Sequence, residues 1–452
     1  MSHPFEAKEA TTDFEQFSQS TMINQIKDTF NTLPDSRTGK GNNQKYSISD
    51  AAMSAYSIFF MQSPSFLDHQ KSMQKEKDKN NAESLFGVHE IPSDNQIRNL
   101  LDSINPSSLK ALYHSFLNGV EQQGKLMDFK SLNNGYLVAL DGVEYFGSQK
   151  ISCPQCLTKK LKNGKTHHSH IAVTPVIVSP DQSSVIPLVP EFVCPEDGVE
   201  KQDYELAASK RWLESENDFI PENTTYLGDD LYCHQPFCEQ IIEQKKHFIL
   251  VCKPDSHKTL YEWVDDFERM GKVSTLKKRH WTGKQHLTEC YRFVNQVPLK
   301  NTDDALYVNW CELAVFNDKG ELIYRNAFAT NYELNEKNVA EIVRAGRTRW
   351  KIENENNNTL KTKGYNFKHN YGHGSKNLSS LLASLIILAF FVHTLLEWFD
   401  ECYQLLREYL PSRKTFFDDL RALTRYMHFK DWQKLMKFML HGLEIPIPQG
   451  TN

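Results

Sequence analysis

The sequence predicts an α/β (α+β) protein: a mixed sheet flanked by helices, preceded by a helical N-terminal domain and interrupted by a β-rich insertion. Three observations lead there. Residues 1 to about 130 carry helical apolar periodicity with capping residues. From Gly135 the pattern turns to short apolar runs, three in succession and then alternating with helices. Residues 256–331 return to strands with interleaved polar positions. Strands in direct succession can pair as neighbours, whereas strands separated by helices need crossovers that put those helices on the faces of the sheet.

In the N-terminal domain, residues 1–134, an apolar helix is expected over 50–61 and another follows Ser93, a capping residue, in Ser93-Asp-Asn-Gln-Ile-Arg-Asn-Leu-Leu. Residues 71–81 read as a charged connector. Arg37, Lys40, Lys45 and Arg98 are scattered basic residues that form no recognisable helix-turn-helix, so this domain reads either as a DNA-end binder or as a packing and dimerisation module. The first part of the α/β core, residues 135–255, has strands at 136–146, 171–178 and 185–193, the last two joined by the turn Ser179-Pro-Asp-Gln-Ser-Ser. A helix at 202–213, a strand at 225–227, a helix at 236–244 and a strand at 247–252 follow. The β-rich insertion spans 256–335 and includes strands at 306–316 and 322–329. The second part of the core, 336–398, is helical apart from a glycine-rich loop at 364–374, and residues 399–452 form a C-terminal helical region.

Composition bounds the function. A chain of 452 residues that is 39% hydrophobic and 24% charged can build two or three domains. A formal net charge of -5 excludes a uniformly basic nucleic-acid coat, so DNA binding would need local basic clusters. Nine cysteines and a start without a charged-then-apolar leader fit a reducing compartment, which predicts a cytoplasmic protein. The run LSSLLASLIILAFFVHTLL at 378–396 approaches membrane-span length, but its serines, His393 and polar flanks predict a buried core helix, and no membrane partner.

Three acids carry the chemistry. Asp141 ends the run Tyr136-Leu-Val-Ala-Leu-Asp141; Asp229 or Asp230 follows Thr224-Thr-Tyr-Leu-Gly; Glu353 lies in the helical run Arg349-Trp350-Lys351-Ile352-Glu353. Carboxylates are the hard oxygen ligands that Mg²⁺ or Mn²⁺ prefers, and two such ions can activate a nucleophile and stabilise a leaving oxygen in phosphodiester transfer. Any one acid alone reads as a strand-end turn or a helix cap. Arg349, four residues before Glu353 on the same helical face, could approach a phosphate as a permanently charged bidentate donor.

In this ordering the chain resembles the DDE transposases of bacterial insertion sequences, over roughly residues 135–396. In the branch with a β-rich insertion between the second and third acids, the helix carries an Arg-Trp-x-Ile-Glu pattern, matched by Arg349, Trp350, Ile352 and Glu353. Gly228-Asp229-Asp230-Leu-Tyr resembles that family's Gly-Asp-x-Leu-His/Tyr, which favours Asp229 over Asp230. The resemblance implies an RNase H-like core, Asp141, Asp229 and Glu353 as Mg²⁺ ligands, Arg349 and Lys361 as phosphate contacts, cleavage at transposon ends, strand transfer into target DNA, and a homodimer on double-stranded DNA. Two positions depart from the pattern. Where the family often has Tyr three residues before the Arg this chain has Gly346, and where it has Lys seven residues after the Glu this chain has Leu360, with Lys361 next. A nuclease without strand transfer, or a non-catalytic zinc-containing DNA-binding descendant, are the competing readings.

Three further segments stand out. Cys153-Pro-Gln-Cys156 has the spacing of a zinc hairpin, with His167, His168, His170 or Cys194 available to complete a tetrahedral Zn²⁺ site, Cys153, Cys156, His168 and His170 being the set favoured; an exposed loop with incidental thiols is the alternative. Lys277, Lys278 and Arg279 lead to Trp281, a basic run that could grip phosphates while the indole stacks on an unpaired base, or could simply be a solvated face. The segment 361–374, with Lys361, Lys363, aromatics and glycines, is too polar for a core and reads as a DNA-contact loop; His369 or His373 could instead ligate a metal.

Overall fold

A computed structural model describes residues 14–37, 45–74, 80–198 and 201–448; Lys40 and residues 75–79 of the expected connector lie outside them. The chain divides into two compact units. One, largely helical, comprises Met1–Leu126, Lys363–Asn366 and Lys376–Asn452; the other, built on a mixed α/β sheet, comprises Met127–Thr362 and Phe367–Ser375.

The helical unit begins with α1 (Gln19–Asn31), α2 (Ile48–Phe60), α3 (Phe66–Met73), α4 (Asn81–Phe86), α5 (Asp94–Leu101) and α6 (Lys110–Gln122). Ser93 with Gln96 forms a capping box that starts α5, as the sequence suggested, and Ser47 with Asp50 forms another that starts α2. The scattered basic residues are engaged locally: Arg37 pairs with Asp35, Lys45 with Glu90 and Arg98 with Asp94.

In the sheet-based unit, the three successive strands expected at 136–146, 171–178 and 185–193 all form, and each is broken in the middle. The first becomes β1 (Leu137–Ala139) and β2 (Gly142–Ser148). After the short β3 (Leu157–Lys160), the second becomes β4 (Thr166–Val173) and β5 (Val176–Val178), and the third β6 (Ile186–Pro187) and β7 (Glu191–Phe192). The halves separate into two sheets: β1, β5 and β6 join the main sheet, while β2, β4 and β7 pair in a smaller one that also holds β3. Pro175 and Pro190, lacking an amide donor, stand at two of the breaks.

Helix α7 (Lys201–Glu216) crosses over to β8 (Thr225–Gly228), which lies parallel to β1, and α8 (Gln235–Glu243) crosses to β9 (His247–Val251), parallel to β8. After α9 (Lys258–Arg269) come β10 (Ser274–Trp281), β11 (His286–Pro298), β12 (Tyr307–Phe316) and β13 (Leu322–Thr330). These four were expected to form a separate insertion. They instead extend the core sheet, because β13 pairs antiparallel with β9 at Phe328↔Val251, giving a nine-stranded order β10-β11-β12-β13-β9-β8-β1-β5-β6. β12 is buried along nearly its whole length, whereas β10 at the edge is exposed along nearly all of its length. Helices α10 (Val339–Arg347) and α11 (Asn358–Thr362) complete this unit.

The chain then returns to the helical unit with α12 (Leu378–Phe399), α13 (Glu401–Tyr409), α14 (Arg413–Tyr426) and α15 (Trp432–Gly442). Helix α12 was assigned from sequence to the α/β core. It is instead the centre of the helical unit: apolar on all sides, with mean hydropathy 2.2 and 89% of its apolar window buried. Its polar His393 is accounted for, since the Tyr365 hydroxyl lies 2.7 Å from His393 Nδ1, Arg413 donates to that hydroxyl at 2.6 Å, and Glu397 pairs with Arg413 at 2.6 Å. Tyr365, Phe367 and Tyr371 are all buried, so the segment expected to be too polar for a core contributes three aromatic anchors to the two units.

Candidate active site

Asp141 sits at the bend where β1 leaves the main sheet and β2 enters the smaller one. The Leu140 amide still donates to Leu227 on β8 at 2.8 Å, while the Asp141 carbonyl accepts from Thr174 where the neighbouring strand bends. The next residue must be small. Glu205, from α7, lays its carboxylate against Gly142 and accepts the Gly142 amide at 2.9 Å; a Cβ on Gly142 would come within 2.2 Å of the carboxyl carbon. The Asp141 side chain is fixed by Asn357, whose Nδ2 donates to Oδ2 at 2.8 Å, and Thr174 Oγ1 donates to Asn357 Oδ1 at 2.8 Å, which sets the amide orientation.

The second acidic pair separates into two roles. Asp229 caps a single 3-10 turn, Asp230–Tyr232, by accepting the Leu231 amide at 2.9 Å through one oxygen. Its other oxygen has no hydrogen-bond partner among the described residues. Asp230 faces away and is consumed locally: it accepts the Lys253 amide at 2.6 Å and the Ser256 hydroxyl at 2.5 Å, and lies 3.4 Å from His257 Nε2. Burial opposes its charge, but these donors hold its carboxyl below the usual range. Gly228 is required because the Tyr232 ring covers its Cα, where a Cβ would meet the ring at 2.8–2.9 Å, and the buried Tyr232 hydroxyl donates to Glu205 at 3.1 Å. The motif is thus a packed unit in which Asp229 is the acid left facing outward.

Glu353 lies in a π-helical turn, Ile352–Asn357, between the break at Thr348-Arg349 and α11. The i→i+5 bonding of a π turn accommodates one more residue than an α turn, and such turns recur at functional sites. The extra residue has a visible effect: Leu360 is fully buried, and Lys361 is the residue whose ammonium responds to Asp141, Glu353 and Glu144. Burial and Lys368 push the Lys361 ammonium down, and the three carboxylates partly offset this. Glu353 is exposed, without a hydrogen bond or ion pair among the described residues. The next turn is clamped, since Lys351 donates to the carbonyls of Ser179, Pro180 and Gln182. Gly346 packs directly on the sheet; a Cβ there would meet Ile249 Cγ2 at 2.7 Å and Phe328 Cε1 at 2.9 Å. A tyrosine has no room at that position.

Electrostatics tie these segments together. Burial pushes the Asp141 carboxyl up from 3.8 to about 7; the negative charges of Glu205, Asp229 and Glu353 push the same way, and Arg349 opposes them. The parallel pairing Ala139↔Leu227 sets Asp141 and Asp229 just beyond neighbouring strand ends, Asn357 ties the turn that carries Glu353 to Asp141, and the charges of Arg349 and Lys361 act within reach of these acids. Asp141, Asp229 and Glu353 are not drawn into a tight cage: among the described residues, the sets of three or more whose ligand atoms all lie within 4.8 Å are two Cys/His groups.

No protein-family model and no curated protein matches this chain.

The remaining residues singled out from sequence fall in several places. Lys277, Lys278, Arg279 and Trp281 are exposed on β10, the edge strand, where charge also guards against edge-to-edge pairing. β10 is six strand spacings from β1, roughly 29 Å at about 4.8 Å per strand. Trp281 thus stands at the far edge of the sheet, six strands from the one that leads to Asp141. Lys363 is exposed and belongs to the helical unit. Cys153, Cys156 and His170 converge as expected, but His168 lies one pleat earlier on β4 and outside the group; the fourth member is His373. Sequence reasoning missed Glu205 and Asn357. Asn357 carried a signal, four residues after Glu353, whereas nothing in the spacing of Glu205 pointed to it.

Proposed function

We propose that this chain is a DNA transposase of the DDE type, with an RNase H-like core, that cleaves phosphodiester bonds at transposon ends and transfers the freed strand into target DNA. The observation that carries the reading is the placement of Asp141 after β1, of Asp229 after the adjoining parallel strand β8, and of Glu353 in the π turn whose Asn357 bonds to Asp141. The strand order supports it. In β6-β5-β1-β8-β9, a meander of three antiparallel strands is followed by two parallel crossovers, the arrangement on which an RNase H-like core depends.

The donor set suits a hard divalent cation. Asp141, Asp229 and Glu353 would hold Mg²⁺ or Mn²⁺. Bound metal would supply Lewis-acid activation of the attacking hydroxyl and neutralise the leaving oxygen. The chain's own residues do the rest. Asn357 holds the Asp141 carboxylate in one orientation, and Arg349 and Lys361 fix a backbone phosphate beside the acids. The π turn brings Lys361 to the face that an uninterrupted helix would give to residue 360. Water attacks the phosphodiester at the transposon end and releases a 3′-hydroxyl; that hydroxyl attacks a target phosphodiester, displacing a second 3′-hydroxyl. Two ends must be joined, so two copies on double-stranded DNA are expected.

A duplex carrying the inverted repeats that flank the reading frame, incubated with the full chain and Mg²⁺, tests this. The expected result is cleavage at the repeat ends and joining of pre-cut ends to a target plasmid. Cleavage without joining would make the chain a nuclease, and neither reaction would overturn both.

A further inference from the structure

Four residues outside the carboxylate site form a second constellation. Cys153 and Cys156 are held in a tight turn by the Cys156 amide bonding to the Cys153 carbonyl at 3.1 Å, while the Cys153 amide points at Cys156 Sγ at 3.3 Å. His170 projects from β4 between them, its Nε2 3.3 Å from Cys153 Sγ and 3.4 Å from Cys156 Sγ; the two sulfurs are 3.6 Å apart. His373 arrives from the segment Phe367–Ser375, with Nδ1 3.3 Å from His170 Nε2 and its ring 3.9 Å from that of Phe146. Tetrahedral bonds of about 2.3 Å to sulfur and about 2.0 Å to nitrogen give ligand separations of ~3.8 Å for S–S, ~3.5 Å for S–N and ~3.3 Å for N–N. The four separations given lie within a few tenths of an ångström of that pattern, and all four ligand atoms lie within 4.8 Å of one another.

We propose that Cys153, Cys156, His170 and His373 bind one structural Zn²⁺ ion that fastens the segment after the third acid to the β2–β4 sheet. Two thiolates and two imidazoles in a closed tetrahedron leave no open position, so the ion is structural and takes no part in phosphodiester chemistry. Its consequence is positional. β2 leads directly from Asp141, and Phe367–Ser375 follows closely on the helix carrying Glu353 and Lys361. One ion linking β4 and this segment would restrain two of the acid-bearing stretches together, and Phe367 packing on Tyr145, ring centroids 5.5 Å apart, lies beside that link. A second group, Cys233, Cys252 and His257, offers three ligands only, and its histidine already faces Asp230.

Metal analysis of the purified full chain tests this independently of any DNA reaction, so its failure would leave the carboxylate reading untouched. The expected result is one zinc per chain, lost in Cys153→Ser/Cys156→Ser and in His373→Ala, and kept in Cys233→Ser/Cys252→Ser. His373→Cys should restore stoichiometric metal, which separates ligand loss from misfolding. Co²⁺ in place of zinc should give the visible bands of a tetrahedral thiolate site. Zinc absent from the wild type, retained without Cys153 and Cys156, or retained in His373→Ala would overturn the assignment.

Discussion

Replacing Asp141 by Asn should abolish the pH dependence of stability that this carboxyl imposes on the metal-free protein. Folding raises its proton affinity from 3.8 to about 7, so the folded chain binds this proton more tightly than the unfolded chain does. A carboxyl raised in this sense favours the fold fully below pH 3.8, and that contribution is lost as pH rises through 7. At 1.36 kcal/mol per tenfold change in proton affinity, the loss is on the order of 4 kcal/mol. Asparagine mimics the neutral acid, so Asp141→Asn should match the wild type near pH 4 and exceed it by on the order of 4 kcal/mol at pH 8. Urea unfolding in Mg²⁺-free buffer across that range, taken as the difference between the two proteins, isolates the term. Adding Mg²⁺ at pH 8 should narrow the gap by about 2.7 kcal/mol at a hundredfold excess over Kd, through the wild type alone. Parallel stability curves for the two proteins would refute the reasoning, as would an Asn variant less stable at pH 8.

Two further perturbations follow from the packing and the surface. Gly346→Ala should cost about 1–3 kcal/mol, because its Cβ meets Ile249 and Phe328 inside contact distance, and Gly346→Tyr should prevent folding of the sheet-based unit; thermal unfolding reads both. Replacing Lys277, Lys278 and Arg279 by Ala should make the dependence of log Kd for duplex DNA on log salt shallower by about 3 if each contacts a phosphate. The cleavage rate at saturating DNA should not change, because β10 lies six strands from β1.

What could be read from the sequence depended on how local each signal is. The helix cap at Ser93 and the apolar strand runs depend on neighbours in the chain, and they appear where expected. The breaks within the three successive strands did not show, because a bend that moves a strand between sheets leaves period-two alternation almost intact. The extent of the sheet was also hidden, because the pairing of β13 with β9 is a long-range event. Helix α12 could be recognised as a buried helix, while its partners in the helical unit could not. At the site, the resemblance favoured Asp229 over Asp230, and in the structure Asp230 is engaged by the loop after β9. Glu205, distant in sequence and placed by α7, had no local signature; nor did the joining of His373 to a cysteine pair more than two hundred residues earlier. Position 361 makes the clearest case. A helical wheel expects residue 360, and only the π turn turns Lys361 towards the acids.

The central claim is that Asp141, Asp229 and Glu353 act together, and single alanine variants at each, alongside Asp230→Ala, test it most directly. Metal-dependent cleavage of an end-containing duplex, measured beside DNA affinity, should fall by at least a thousandfold in the first three, estimated as ~4 kcal/mol of lost transition-state stabilisation, with affinity nearly intact. Asp230→Ala should keep cleavage while losing about 1–3 kcal/mol of stability. Full cleavage by any of the three, or loss in Asp230→Ala with Asp229→Ala active, would contradict the account.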